Sequence, residues 1–180
     1  MSTLPLVDKD SASNEVLDIL ANVEKKFGFI PNLMKVLASS PSAIKAYLTL
    51  AELLESTKFT PEEQQIMLLT VSRENKCEYC LAAHSMISAK MVGMDSDKLV
   101  SIRDDKPLAD SKHQELVTFT SEIVKKRGFV GAEAVKQFKD AGYSDQHVLE
   151  VLLAVTMKTL SNYTNHLSQT PIDPQFAQFK

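Results

Sequence analysis

The sequence lacks the features that define several protein classes. It has no tryptophan, only five glycines in 180 residues, and no apolar run near the roughly 20 residues of a membrane span. Residues 1–15 contain no apolar segment of the kind found in secretory signal peptides. A formal net charge of −3 gives no electrostatic reason to bind nucleic acid or an anionic membrane. We therefore expect a cytoplasmic protein without nucleic-acid or membrane partners.

Cysteine is scarce as well, because the chain has only Cys77 and Cys80. A disulfide between residues this close would restrict the unfolded chain very little, and a cytosolic compartment is reducing. The pair is therefore not expected to be a structural crosslink. Two cysteines separated by two residues indicate redox chemistry or metal binding.

Strand signals are almost absent, since no stretch alternates apolar and polar residues over more than a few positions. Apolar residues recur instead at helical spacing between the prolines and glycines. N-cap signals occur at Ser40, Thr60 and Ser144, and Glu63 completes a capping box with Thr60. The sequence predicts an all-α fold, a multi-helix bundle that forms a single domain over residues 1–180.

A weak internal repeat accompanies this helical pattern. A shift of about 84 residues aligns residues 68–72 with residues 152–156. The same shift places hydroxyl residues opposite the cysteines, with Ser161 opposite Cys77 and Thr164 opposite Cys80. We predict a core unit at about 60–93 and a degenerate copy at about 144–170. A chance match between two amphipathic helices is the alternative.

The most informative segment is CEYCLAAH, residues 77–84. On a helix that begins near Cys77, the side chains of Cys77, Cys80 and His84 project from one face within two turns. A helix N-terminus favours negative charge, which should lower the thiol pKa below its usual value of about 8.5. His84 can take the proton of the Cys80 thiol directly or through one water. We expect Cys80 to attack the substrate and Cys77 to close a disulfide afterwards.

Other residues are candidates for the surroundings of the thiols. Glu74 lies one turn before Cys77 and can supply a carboxylate, or it can be an ordinary surface residue. Tyr79 can orient a substrate oxygen or simply pack in the core. The repeat would bring Asn165 and His166 close to the thiols, although an exposed histidine is the more common outcome.

Metal binding and structural packing are the alternative interpretations of the cysteine pair. Zinc uses Cys-x2-Cys spacing, but only His84 follows closely and there is no second cysteine pair. His113, His147 and His166 are distant in sequence. Two buried thiols can also act as small apolar side chains, which the helical spacing to His84 argues against. We therefore expect no metal and no cofactor.

The run from Ile66 to His84, IMLLTVSRENKCEYCLAAH, resembles the core of the alkylhydroperoxidase-D-like, or carboxymuconolactone decarboxylase, family. Residues 28–32 and 162–173 resemble segments of its peroxidase-related branch, so the resemblance spans nearly the whole chain. It implies an all-α fold with an internal repeat and assembly into homo-oligomers, either trimers or hexamers.

The resemblance also implies an activity, the reduction of a hydroperoxide substrate. Cys80 would be the peroxidatic residue, Cys77 its partner, and His84 part of a proton relay. The pair would cycle between dithiol and disulfide at the expense of a dithiol or protein reductant. No cofactor is implied.

Two positions depart from the family pattern. The family's relay glutamate precedes the first cysteine by twelve positions, where this chain has Gln65, which cannot take a proton. Its alkylhydroperoxidase branch has histidine where this chain has Tyr79. The missing carboxylate would come from Glu74, Glu62 or Glu63, or the relay is shorter. Because the decarboxylase branch does not depend on a CxxC pair, we expect a hydroperoxide reductase. A non-catalytic oligomeric protein with a vestigial site and a lactone decarboxylase are the alternatives.

Overall fold

A computed structural model of the protein describes residues 2–180, and within them every regular element is helical. The predicted all-α fold class is confirmed. The α-helices are α1 (Asn14–Phe27), α2 (Asn32–Leu37), α3 (Pro41–Glu55), α4 (Pro61–Glu74), α5 (Glu78–Ile87), α6 (Ser96–Arg103), α7 (Ser111–Lys126), α8 (Ala132–Asp140) and α9 (Asp145–Ser168). A π-helical turn (Ser88–Val92) follows α5, and a 3-10 helix (Pro174–Phe179) lies near the C-terminus. Across residues 2–180, no helix combines the length and apolarity needed to cross a membrane.

Side-chain caps fix the starts of the central helices. The Thr60 hydroxyl accepts from the backbone N–H of Glu63, and the Glu63 carboxylate accepts from the backbone N–H of Thr60. Ser144 and His147 form the equivalent box at the start of α9. These reciprocal bonds satisfy N–H groups that have no partner inside the helix.

Helix α4 lies at the centre of the bundle and packs against α5, α7 and α9. Its side chains Ile66, Met67, Leu69 and Val71 are fully buried. Helix α9 packs against α3 as well as α4. Each large apolar side chain buried in this way stabilises the fold by roughly 1.5–3 kcal/mol. Both helices are thus held in place by the core, so side chains at their contact are precisely positioned relative to one another.

A three-residue break separates α4 from α5. Lys76 adopts a left-handed conformation with φ of 55°, and Cys77 then becomes the N-cap of α5. The Asn75 side chain donates to Asn162 Oδ1 on α9 at 2.9 Å, and the Cys77 backbone N–H donates to the Ser72 carbonyl. The break directs the N-terminus of α5 towards α9. Helix α5 ends at Ile87, and the chain continues as the π-helical turn.

Candidate active site

The two cysteines lie at the N-terminus of α5. Cys77 is the N-cap and Cys80 lies in the first turn. Both thiols are free, and each residue is only 1% exposed. Within residues 2–180, no group of three or more His, Cys, Asp or Glu side chains is placed to hold a metal ion.

Helix α9 presents a row of buried polar side chains to these thiols. The Asn165 Nδ2 group donates to Cys80 Sγ at 3.2 Å and to Cys77 Sγ at 3.8 Å. Ser161 Oγ lies 3.8 Å from Cys80 Sγ. Lys158 belongs to the same row, since residues three and seven positions apart share one helix face. The row places an amide donor, a hydroxyl and an ammonium beside the two buried sulfurs.

Lys158 connects the thiols to His84. It is 1% exposed, and its Nζ lies 2.9 Å from His84 Nε2. On the other side of the ring, His84 Nδ1 lies 2.9 Å from Gln65 Oε1. The three side chains come from α9, α5 and α4 and form a continuous hydrogen-bonded chain.

Electrostatics separate the two thiols. Burial alone would raise the pKa of Cys80, but hydrogen bonding from Cys77 and the Lys158 ammonium together hold that pKa well below its usual value. Hydrogen bonding to Cys80, followed by burial, raises the pKa of Cys77. Burial, and then Lys158, keeps the pKa of His84 well below its usual value. These directions favour a Cys80 thiolate paired with the Lys158 ammonium, and a neutral Cys77 thiol and His84 imidazole.

The predicted carboxylates lie elsewhere. Glu74 is the first of these candidates, but its carboxylate accepts from Arg73 at 2.6 Å and from Ser121 at 2.8 Å, and it pairs with Lys125. It points from the last turn of α4 towards α7, because the break redirects the chain after it. The other two candidates are also occupied, with Glu62 paired to Lys98 and Glu63 held in the capping box.

Tyr79 and His166 are outside the hydrogen-bonded chain. The Tyr79 hydroxyl donates to Asp173 Oδ2 at 2.6 Å and accepts from the Leu33 backbone N–H. This supports the packing interpretation of Tyr79, which is buried. His166 is exposed and stacks on Tyr163. His166 directly follows Asn165 on α9, and the step of about 100° turns His166 away from the thiols.

Sequence reasoning missed Lys158. A usable signal was present, since Lys158 is the only Lys, Arg, Asp or Glu between positions 151 and 168. Its distances of three and seven residues from Ser161 and Asn165 place all three on one face. A lone lysine among uncharged residues on an inward-facing row indicates a buried, paired cation.

Two neighbouring cavities reach these hydrogen-bonded side chains. One cavity, of about 150 Å³, is lined by Cys80, His84 and Lys158, by Lys26, Tyr47 and Tyr79, and otherwise by apolar side chains. These apolar walls include Phe27, Phe29, Met34, Met86, Ile87 and Phe176. A second cavity, of about 590 Å³, shares several of these walls and reaches Gln65. The first cavity therefore offers a small apolar molecule a place beside the Cys80 sulfur.

No family model matches the chain, and no curated protein matches it in sequence. Solved structures match it in fold. A peroxidase-related protein from Ralstonia eutropha, described as an alkylhydroperoxidase AhpD core, superposes with a TM-score of 0.88 at 18% identity, over 97% of this chain and 94% of that one. A peroxidase-related protein from Silicibacter superposes with a TM-score of 0.84 at 18% identity, over 99% of this chain and 94% of that one.

A third neighbour has a different described activity. It is a cysteine-to-alanine variant of the debrominase Bmp8 in complex with 2,3,4-tribromopyrrole, with a TM-score of 0.82 at 16% identity, over 99% of this chain and 97% of that one. The fold therefore hosts more than one activity. At these identities the likeness concerns architecture, and the chain has the all-helical fold of the alkylhydroperoxidase AhpD core, as the sequence resemblance predicted.

Proposed function

We propose that this protein is a thiol-dependent hydroperoxide reductase. The observation that carries the proposal is the Cys80 sulfur, which lies beside a cavity and against the Lys158 ammonium with a second free thiol three positions away. A stabilised thiolate is the reactive form of cysteine towards peroxides. The neighbouring Cys77 can then prevent over-oxidation by forming a disulfide.

The proposed reaction has three steps, and atoms and electrons balance in each. The Cys80 thiolate attacks one oxygen of the hydroperoxide, the O–O bond breaks, and the products are a sulfenic acid on Cys80 and an alkoxide that is protonated to an alcohol. The Cys77 thiol attacks the Cys80 sulfur, which releases water and forms the disulfide. An external dithiol or a protein reductant then supplies two electrons and restores both thiols.

The cavity supports an organic hydroperoxide as the substrate. Its walls beside Cys80 are mainly aromatic, aliphatic and methionine side chains. Burying the apolar part of a substrate against such walls is favourable by roughly 25 cal/mol per Å². Hydrogen peroxide has no apolar part and would gain nothing from them.

The predicted homo-oligomer, a trimer or hexamer, stays a prediction. Helix α9 carries exposed apolar side chains on one outer face, namely Leu149, Leu152, Tyr163 and Leu167. Such a stripe is typical of a contact surface.

Steady-state peroxide consumption with a dithiol reductant tests the proposed function, using cumene hydroperoxide and hydrogen peroxide as alternative substrates. We expect Cys80→Ser to lower the rate by at least about 100-fold, because the nucleophile is lost. Cys77→Ser is the matched control. It should still consume one equivalent of hydroperoxide rapidly and accumulate sulfenic acid on Cys80, detectable by dimedone labelling.

Other outcomes separate the alternatives. An unchanged rate in Cys80→Ser contradicts the proposal. Lactone turnover that survives loss of both cysteines indicates a decarboxylase, and thiols with ordinary reactivity and no turnover indicate a vestigial site. Cysteine-dependent bromide release from 2,3,4-tribromopyrrole without peroxide consumption would keep the thiol chemistry but overturn the hydroperoxide assignment.

A further inference from the structure

We infer that Lys158 supplies the catalytic proton at this site, and that Gln65 holds Lys158 in that role by fixing the tautomer of His84. The inference rests on the proposed function, which identifies the reaction that consumes the proton. It assigns a role to a lysine buried in the core and to a glutamine that stands where the resembling family has a relay glutamate.

The hydrogen bonds determine where the protons are. Gln65 Oε1 can only accept, so the imidazole must donate from Nδ1. Nε2 of His84 then carries a lone pair, and the Lys158 ammonium donates to it at 2.9 Å. The imidazole therefore stays neutral. Among Gln65, His84 and Lys158, the proton that can be transferred therefore lies on Lys158, the residue next to the Cys80 thiolate.

The surroundings of Lys158 support this assignment. The titratable groups that face it are Cys77, Cys80 and His84 from α5 with its N-cap, and Tyr47 from α3. None of these is a carboxylate. Burial alone would lower the pKa of Lys158, but the Cys80 thiolate and Tyr47 raise it, so the side chain stays protonated. A buried cation needs a buried anion, and here the thiolate is that anion.

Gln65 and Lys158 depend on each other. A carboxylate at position 65 would favour a second proton on His84, as an acidic neighbour does for an imidazole. The protonated Nε2 would then face the Lys158 ammonium at hydrogen-bond distance, and two adjacent buried cations repel strongly. A relay based on glutamate and one based on lysine are thus alternative solutions. This chain uses the lysine.

The proton balance is complete over one cycle. Cleavage of the O–O bond leaves an alkoxide, which takes a proton from Lys158 Nζ to give the alcohol and a neutral amine. The Cys77 thiol carries its own proton to the hydroxide that leaves Cys80 as water. Reduction of the disulfide by an external dithiol returns Cys80 as a thiolate and releases one proton, which restores the Lys158 ammonium.

The pH dependence of alkylation by iodoacetamide tests the inference without requiring turnover. The measurement uses a Cys77→Ser background, in which Cys80 is the only thiol. We expect Lys158→Met to move the alkylation profile to higher pH and to lower the rate at neutral pH at least about tenfold, which corresponds to one pKa unit. Lys125→Met, which removes a lysine remote from the thiols, is the matched control and should leave the profile in place.

Two further variants separate charge from proton donation. Gln65→Glu combined with Lys158→Met should move the profile back towards lower pH, because the new carboxylate allows an imidazolium to stabilise the thiolate. Lys158→Arg keeps the charge but holds its proton too tightly to donate it. It should therefore retain the low-pH profile while hydroperoxide turnover with both cysteines present falls.

The inference is overturned if Lys158→Met leaves the profile unchanged or if the double variant behaves like Lys158→Met. If Lys158→Met does not fold, a Lys158→Arg profile that resembles a free thiol also overturns it. A wild-type protein that shows the expected profile shifts but consumes no hydroperoxide would refute the proposed function alone. A protein that consumes hydroperoxide while the profile ignores Lys158 would refute the lysine assignment alone.

Discussion

The helix pair α4–α5 and the single helix α9 start in the same way, but only the pair contains a break. We call this break, at residues 75–77, the joint. Each segment starts with a capping box, Thr60 with Glu63 in one and Ser144 with His147 in the other, and the two boxes are 84 positions apart. Helix α9 then runs for 24 residues without interruption, whereas α4 stops after 14 and α5 restarts at Glu78. Common descent of the two segments stays a prediction.

The difference explains how the thiol site is built. The break in one segment places a helix N-terminus and Cys77 beside the other segment, which remains a straight support for polar side chains. Glu74 and Lys158, which the shift of 84 positions aligns, show most clearly how the two segments differ in function. Glu74 pairs with cations on the α7 side, and Lys158 turns inwards to the thiols. Residues in matching register thus have opposite charge and separate tasks.

The largest stability effect within this comparison is expected for Glu74→Gln. The Glu74 carboxylate is 10% exposed and bonded to Arg73, Ser121 and Lys125, so its loss should lower the free energy of unfolding by about 1–3 kcal/mol. Burial raises the pKa of Glu74, but its bonds to Arg73 and Ser121 outweigh burial and lower that pKa overall. Its stabilisation is therefore present above the unfolded-state pKa and is lost as the pH falls through the folded-state pKa.

Urea denaturation at neutral and at acidic pH measures this effect. The difference between wild type and Glu74→Gln should shrink in acid, where both side chains are neutral. The alkylation profile of Cys80 should not change. A shifted profile would mean that Glu74 acts on the thiols after all.

An intermediate effect is expected at the joint. Lys76 is exposed and has φ of 55°, a region that β-branched residues rarely adopt. Lys76→Val should therefore lower the free energy of unfolding by about 1–2 kcal/mol. Lys76→Gly is the matched control and should lie within about 1 kcal/mol of wild type, because glycine adopts this conformation readily. Equal stabilities for the two variants, measured by urea denaturation, would show that the joint tolerates another backbone conformation.

The smallest effects are expected at the two caps. Thr60→Ala should lower the free energy of unfolding by about 1 kcal/mol and Ser144→Ala by about 0.5 kcal/mol. The Thr60 box costs more because Glu63 is buried and also bonds to the Tyr143 hydroxyl and to Lys112. The Ser144 box is exposed. Thermal denaturation of both variants measures the order, and a larger loss for Ser144→Ala would contradict it.

The elements that the sequence predicted well depend on local signals. Capping residues, prolines and glycines determine where helices start and end, and each lies within a few residues of the feature it fixes. The position of Cys77 and Cys80 at the start of α5 belongs to this class, and their roles stay predictions. The π-helical turn after Ile87 and the 3-10 helix from Pro174 had no comparable signal.

The parts that the sequence did not predict depend on distant contacts. Lys158 and His84 are 74 positions apart in the chain, and their bond exists only because α5 and α9 pack together. The direction of Glu74 was equally beyond local reasoning, since it is set by Ser121 and Lys125 on α7. Closeness in sequence therefore did not predict which charged side chain contacts the thiols: Glu74, three positions from Cys77, does not, and the distant Lys158 does.

The left-handed joint at Lys76 has a consequence for protein design. In an uninterrupted helical bundle every helix N-terminus lies at an end of the bundle. None of them can therefore stabilise a thiolate in its middle. Three irregular residues within one helix create a new helix N-terminus in the middle of the bundle. The helix that faces it can carry a lysine and an asparagine. A designed bundle of inert helices can accordingly be given a reactive cysteine by editing one short segment and one facing helix, with its outer architecture unchanged.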